Sequence, residues 1–365
     1  MTRTPPIRFL SHALIAVAAS TCLANPARAA SDAALPPAAV ERDGSHDFDF
    51  NLGTWKTHIH RVLDPMSGNG KFEALEGTVT VRPIWDGRAQ LEEIEADGPQ
   101  GHWEGLTLFL YDPKARQWNQ TFIGSKAGDL SPPLVGEFAN GRGELFSQDT
   151  LDGRAILVRG TWSDIAPDAH HFQDAYSDDG GKTWQPAFIA SLTRLSATAD
   201  IDPTPRAADR SRDFDFDLGR WRTHSRRLLN PLAGSTTWVE MDGETDVAPV
   251  WGGRANLAVF KADGPAGRVE LLSLRWFNPA TRQWSLEFAT PGVGTLGVPG
   301  VGVFKDGRAD FYDQEAANGR SILLRFSIWG TGADTARSEQ AFSADGGKTW
   351  ETNWVNEYTR VGHRP

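Results

Sequence analysis

Between residues 47 and 361, apolar and polar positions alternate with a period of two almost throughout. Leu106, Leu108 and Leu110 alternate with Thr107, Phe109 and Tyr111; Trp118, Gln120 and Phe122 continue the pattern, as do Trp184, Phe188 and Leu192. A period of two sends successive side chains to opposite faces of an extended strand. The runs are short and separated by Asp86-Gly87, Asp97-Gly-Pro99, Asn140-Gly141, Asp152-Gly153 and Asp179-Gly-Gly181. Asn-Gly and Asp-Gly between alternating runs are the strongest local hairpin signals. The chain is therefore expected to be all-β, with about nine or ten antiparallel strands per unit and no amphipathic helix. Strands joined by tight turns form a meander, and a meander with one apolar face closes into an up-and-down barrel, which removes exposed edges. A two-sheet sandwich is the competing arrangement.

The whole pattern occurs twice. Phe48-Asp-Phe-Asn-Leu-Gly-Thr-Trp55 returns as Phe214-Asp-Phe-Asp-Leu-Gly-Arg-Trp221, an offset of 166. The same offset carries Trp85-Asp-Gly-Arg88 onto Trp251-Gly-Gly-Arg254 and Asp179-Gly-Gly-Lys-Thr-Trp184 onto Asp345-Gly-Gly-Lys-Thr-Trp350. A repeat of this length is a duplicated domain. The expected organisation is a barrel over 47–195, a linker over 196–212 containing Asp202-Pro-Thr-Pro205, and a second barrel over 213–361. Leu106, Leu108 and Leu110 become Leu272, Leu274 and Trp276 in the second copy, whereas the alternate set admits Arg275. The leucine set is therefore expected to face the barrel interior.

The start of the chain changes the cellular picture. Arg3 and Arg8 precede an apolar run from Phe9 to Ala24, and Ala27-Arg-Ala29 supplies a small-x-small cleavage pattern. Residues 1–29 read as an export signal, with 30–46 as a flexible lead-in, which places the mature protein in the periplasm or outside the cell. The only cysteine, Cys22, would leave with the signal, so no internal disulfide is expected. Loss of Arg3, Arg8 and Arg28 takes the formal net charge from −10 to −13. So acidic a chain is expected to bind neither nucleic acid nor anionic membrane.

Gly53-Thr-Trp55 on the first strand, Arg194 on the last, and the strand count together resemble the lipocalin or calycin superfamily. The Phe-Asp-Phe opening is similar to that of uncharacterised bacterial barrel domains of the domain-of-unknown-function type. The resemblance spans both copies. It implies that Arg194 packs over Trp55, and Arg360 over Trp221, as cation–π pairs closing each barrel floor. It also implies a central cavity for a small, apolar or amphipathic molecule. Haem-binding barrels of similar shape use a late-strand histidine, which 184–195 and 350–361 lack, so no haem or other cofactor is expected.

Candidate chemistry is sparse. Ligand contacts are expected from Arg61, Leu108, Leu110, Trp118, Asp149 and Arg159, and in the second copy from Arg227, Leu274, Trp276, Trp284, Glu315 and Arg325. Asp179 with Trp184, and Asp345 with Trp350, match the Ser-x-Asp-x-Gly-x-Thr-Trp box of sialidase propellers, a hairpin device rather than a catalytic one. His58 and His60 share a strand face at a spacing used by metals, but the second copy has His224 and Arg226 there, so no metal site is assigned. Glu92 faces Ala258 across the repeat, and no nucleophile–base grouping is legible, so no catalytic residue is assigned. The expected role is binding of a small apolar or amphipathic molecule. The alternatives are an isomerase or hydrolase acting on a lipophilic or carbohydrate substrate, with Arg61, Asp149 or Arg159 converging in one pocket, and an interaction module with filled barrels.

Overall fold

The computed structural model describes residues 43–68, 70–200, 207 and 211–362. The expected export signal lies outside the described residues, as do most of the lead-in and part of the linker. The first barrel comprises β1 (Gly53–Val62), β2 (Phe72–Ile84), β3 (Ala89–Gly98), β4 (Gly101–Asp112), β5 (Gln117–Gly124), β6 (Leu134–Ala139), β7 (Arg142–Leu151), β8 (Arg154–Ala166), β9 (Ala169–Ser177) and β10 (Gln185–Ser196). The second comprises β11 (Gly219–Leu228), β12 (Trp238–Val250), β13 (Ala255–Gly264), β14 (Gly267–Asn278), β15 (Gln283–Ala289), β16 (Gly300–Lys305), β17 (Arg308–Ala317), β18 (Arg320–Gly332), β19 (Thr335–Ser343) and β20 (Glu351–Gly362). Every strand pairs with its neighbours in sequence, and β1 closes on β10 as β11 closes on β20. These are two closed antiparallel barrels; the sandwich is not formed.

The turn chemistry explains the register. Asn140 and Gly141 (φ 53° and 75°) join β6 to β7, and Asp152 and Gly153 (49° and 78°) join β7 to β8. Two consecutive positive-φ residues make the turn whose twist matches a right-handed hairpin. The second barrel repeats this at Asp306-Gly307 and Asn318-Gly319. The shortest seam is β5 with β6, where only Trp118, Asn119 and Gln120 find partners before the 125–133 loop departs; β15 and β16 repeat that short seam.

A short 3-10 turn seals one end of each barrel. In the first, Phe48 is fully buried among Phe109, Trp118, Phe138 and Trp162, at centroid separations of 4.6–5.4 Å. Arg194 lies 3.9 Å from the Trp55 ring centroid and donates to the Phe50, Leu52 and Pro167 carbonyls. Arg360 does the same over Trp221, also at 3.9 Å, with the Phe216 and Leu218 carbonyls. One guanidinium thus satisfies the carbonyls that the turn leaves without strand partners.

The leucine stripe is where the expectation fails. Leu106, Leu108 and Leu110 face out of the first barrel and join Leu272, Leu274 and Trp276 of the second in one buried cluster. They were expected inside because both copies keep them apolar. That apolar character is required by the contact between the barrels. The face that admits Arg275 is the interior.

The contact is pseudo-twofold. Arg88 pairs with Glu270 at 2.5 Å, and the equivalent Arg254 pairs with Glu104. Both arginines end the Trp-x-Gly-Arg corner, whose tryptophans hold positive φ (Trp85 52°, Trp251 55°). Such strain in a bulky residue persists only where packing enforces it; both rings are buried at this contact. The 125–133 loop crosses to the second barrel, where Trp276 Nε1 donates to the Gly128 carbonyl at 3.0 Å and Asn278 Nδ2 donates to Asp129 at 3.1 Å. Reciprocally, Gly294 of the 290–299 loop lies against the backbone of Asp112, the residue equivalent to Asn278, with no room for a side chain.

Candidate functional site

Each barrel encloses a cavity, about 770 Å³ in the first and about 450 Å³ in the second. The difference follows from the side chains that the strands aim inward. The last strand presents Phe188, Ala190 and Leu192 to the first cavity, but the bulkier Trp354, Asn356 and Tyr358 to the second. On β8, Gly160 stands where β18 presents Phe326.

Deep in the first cavity lies Glu92, 5% exposed. Its carboxyl accepts from Thr107 Oγ1 at 2.7 Å and from Asn51 Nδ2 at 3.3 Å. Burial pushes it above the usual carboxylate range, against the opposite pull of these two bonds. Gln120 accepts from Trp162 Nε1 at 3.3 Å. Thr57 is fully buried, and its hydroxyl has no partner. Asp174 reaches in from β9 over Gly160, its Oδ1 without a partner, and burial raises it to about 7. Tyr176 beside it is raised to about 12 by burial, then by the charges of Asp174 and Asp149. Near the mouth, Arg61 is paired with the buried Glu73.

The second cavity has a different electrostatic arrangement. Ala258 replaces Glu92, Asp217 replaces Asn51, and Arg275 replaces Phe109. Arg275 and Asp217, 4% and 2% exposed, form a buried ion pair with the guanidinium 5.0 Å from the Phe214 ring centroid. Asp313 is raised to about 7 by burial and by the Glu315 charge, and burial also raises Glu315. Arg227 lies 4.9 Å from the Trp354 centroid at the rim, with Val239 where the first barrel has Glu73.

Of the expected ligand contacts, Arg61 and Asp149 line the first cavity and Arg227 and Glu315 the second. Leu108, Leu110, Leu274 and Trp276 are corrected to the contact between the barrels. Trp118 and Trp284 pack into the closed ends against Phe48 and Phe214. Arg159 and Arg325 leave the interior and stack on Trp184 and Trp350, at 4.6 and 4.7 Å. Arg61, Asp149 and Arg159 therefore do not meet in one pocket.

Trp184 and Trp350 belong to the box hairpins, where Asp179 accepts from Thr183, Ser177 and Lys182 and is lowered to about 2 by those bonds. Asp345 is lowered to about 2 in the same way, by bonds from Thr349 and Ser343. His58 and His60 bring their Nε2 atoms within 2.8 Å, but no group of three or more metal-ligating side chains occurs among the described residues.

Sequence reasoning passed over Glu92, Asp174, Asn51, Thr107 and Gln120, and Arg275 with Asp217. Their signal was present in the alignment of one copy on the other. Asn51, Glu92 and Phe109 change together into Asp217, Ala258 and Arg275. A new base and a new acid, arising with loss of an old acid, mark positions that share one buried space.

Residues 47–148 match a family described as "Protein of unknown function (DUF1579)". No curated protein matches the chain. Among solved structures, it is similar to a protein of unknown function from the DUF3598 family of Nostoc punctiforme. That likeness has 12% identity, covers 87% of this chain and 99% of that one, and has a TM-score of 0.27. It is also similar to a mutant of transferrin binding protein B, a vaccine antigen of Haemophilus parasuis, at 6% identity over 84% of this chain and 75% of that one, TM-score 0.20. At such scores neither likeness bears on function.

Proposed function

We propose that the protein is an exported binder of a small amphipathic molecule, held in the cavity of the first barrel. The observation that carries this reading is the cavity itself, about 770 Å³ in a barrel whose other end is sealed by aromatic packing. Its volume falls in the range of small-molecule sites, and its lining has their character: an apolar wall with a few placed polar groups. Glu92, Gln120 and Thr57 lie at depth, while Arg61 and Asp149 stand nearer the mouth. A ligand would leave water along Trp103, Phe122, Phe172 and Phe188, gaining about 25 cal/mol for each Å² of apolar surface removed.

The test uses Gly160→Phe, which gives the first barrel the side chain that the second already carries. Gly160 has ordinary extended backbone, and an added Cβ meets only side-chain atoms of Leu134 and Phe172 at 3.1 and 3.3 Å and Asp174 at 3.5 Å. Equilibrium titration with Nile red, a neutral lipophilic fluorophore, should show saturable binding to the wild type and the loss of about one equivalent in Gly160→Phe. Equal stoichiometry and affinity in a folded variant would overturn the reading.

A further inference from the structure

We propose that the first cavity selects an organic cation, specifically a lipophilic amine whose ammonium group sits against Asp174 among aromatic ring faces. This rests on the reading of that cavity as a binding site and adds the chemistry of its ligand.

The aromatic side chains form a continuous wall. Phe122 and Trp103 lie 6.0 Å apart, Trp103 and Phe188 6.2 Å, Phe188 and Phe172 6.3 Å, and Phe172 and Trp162 4.6 Å. Ring faces attract cations, most strongly where water is excluded. Asp174 interrupts this wall. It pairs across the sheet with Phe188 on one side and Gly160 on the other, so its carboxyl has a ring beside it and open space over the glycine. Its Oδ1 is buried without a partner. The second barrel places Phe326 and Gln340 at these positions, and Gln340 is bonded to Asn353 at 2.9 Å. The acid thus occurs in the barrel where a glycine gives a ligand access to it. A second unsatisfied acceptor lies deeper, the hydroxyl of the fully buried Thr57, whose counterpart Thr223 is bonded to Thr245 at 2.7 Å.

Charge balance selects the sign. The groups that line the same space are acidic: Glu92, Asp149 and Asp174, with Asp129 at the rim. Arg61 is neutralised by Glu73, and Lys126 stands on the mouth loop. The inward residues of the flanking strands, Val158, Gly160 and Trp162 on β8 and Phe188, Ala190 and Leu192 on β10, carry no titratable group; Tyr176 shares β9 with Asp174, and Asp149 faces it from β7. A carboxylate ligand would find Arg61 already paired with Glu73, an alcohol would leave Asp174 protonated, and an ammonium would ionise it. Burial keeps this carboxyl protonated to about pH 7 in the empty cavity, so amine binding should release a proton below that pH.

The experiment is displacement of bound Nile red by decylamine, decanol and decanoate, which share a chain and differ in the head group. The amine should displace the dye at a concentration at least roughly tenfold below that of the alcohol, as for a desolvated charge pair with ring contact. Asp174→Asn should bring the amine-to-alcohol ratio to about one, with alcohol affinity changed less than about twofold. In the wild type, amine affinity should rise about tenfold between pH 6 and 8, and the rise should vanish in Asp174→Asn. Should that variant fail to fold, proton release on amine binding, measured calorimetrically in buffers of different ionisation enthalpy, decides the matter. Equal or better displacement by decanol or decanoate, an unchanged ratio in Asp174→Asn, or no proton release would overturn the amine assignment while leaving the cavity a binding site. Failure of Nile red and all three amphiphiles to bind would overturn both.

Discussion

The buried pair of Arg275 and Asp217 provides the sharpest test of how the two barrel interiors are held together. Arg275→Phe installs the residue that the first barrel has at this position and strands the Asp217 carboxylate, 2% exposed, without its cation. Asp217→Asn does the converse to a guanidinium that is 4% exposed. Removing one member of a buried pair costs about 3–5 kcal/mol, because an uncompensated charge stays behind. The double variant recreates Phe109 with Asn51. A phenyl ring replaces the guanidinium over Phe214, as Phe109 packs 4.6 Å from Phe48, and the new amide lacks only a counterpart of Glu92. One neutral hydrogen bond forgone is worth about 1 kcal/mol. The double variant should therefore lie within about 1–2 kcal/mol of the wild type, with a coupling energy of roughly 3 kcal/mol or more. At about 2–4 °C per kcal/mol, each single variant should lose on the order of 10 °C in melting temperature and the double only a few degrees. Calorimetric melting of the four proteins closes the cycle. Additive losses, or a double variant worse than either single, would show that the pair does not act as a unit and that the interiors are not interchangeable sets.

Two further outcomes follow from other parts of the fold. His170 is fully buried against Trp55, with both ring nitrogens unpartnered, and is lowered to about 3 by burial, then by the charges of Arg194 and His171. The unfolded chain takes up this proton near pH 6.5 and the folded chain does not. Stability present above pH 6.5 is therefore lost as pH falls toward 3, by about 3 kcal/mol between pH 7 and 4. His170→Ala, the residue at the equivalent Ala336, should flatten that part of the acid limb in urea titrations at several pH values; an unaltered limb would contradict it. Leu108→Asp with Leu274→Asp puts two carboxylates into the cluster between the barrels, and the radius of gyration from small-angle scattering should rise as the barrels part. No change would mean that the charged corners and crossing loops hold the contact without the leucines.

The barrels were legible because alternation and turn chemistry act locally: Asn140-Gly141 and Asp152-Gly153 specify their hairpins whatever lies across the sheet. The phase of the alternation was not, and β4 shows why. Its outward leucines meet the second barrel while its inward Trp103, Thr107 and Phe109 pack inside. A strand buried on both faces carries apolar residues on both, so period two no longer tells inside from outside. Arg275 looked like a surface residue because a buried arginine becomes plausible only once its acid is known, and Asp217 lies 58 residues away. That Arg61, Asp149, Arg227 and Glu315 line the cavities was legible because they are polar, sit near strand ends and are kept or conservatively exchanged between copies. Glu92 was passed over for the opposite reason, since the second copy has Ala258 in its place.

That contrast bears on why the two barrels share a chain. The leucine stripe needs a partner surface, and the reciprocal pairs of Arg88 with Glu270 and Arg254 with Glu104 have the geometry of an isologous dimer, in which one patch meets its own copy. In a homodimer, every interior substitution would alter both cavities together. Covalent linkage keeps the partner present at high effective concentration and frees each interior to change alone. The outer contact then remains matched under mutual constraint while the insides diverge. Trp-x-Gly-Arg and the leucine stripe persist across the offset of 166, whereas Asn51, Glu92, Phe109 and Gly160 give way to Asp217, Ala258, Arg275 and Phe326. Two cavities of different volume and different interior charge arrangement are the physical consequence, so a ligand suited to the first has no reason to suit the second.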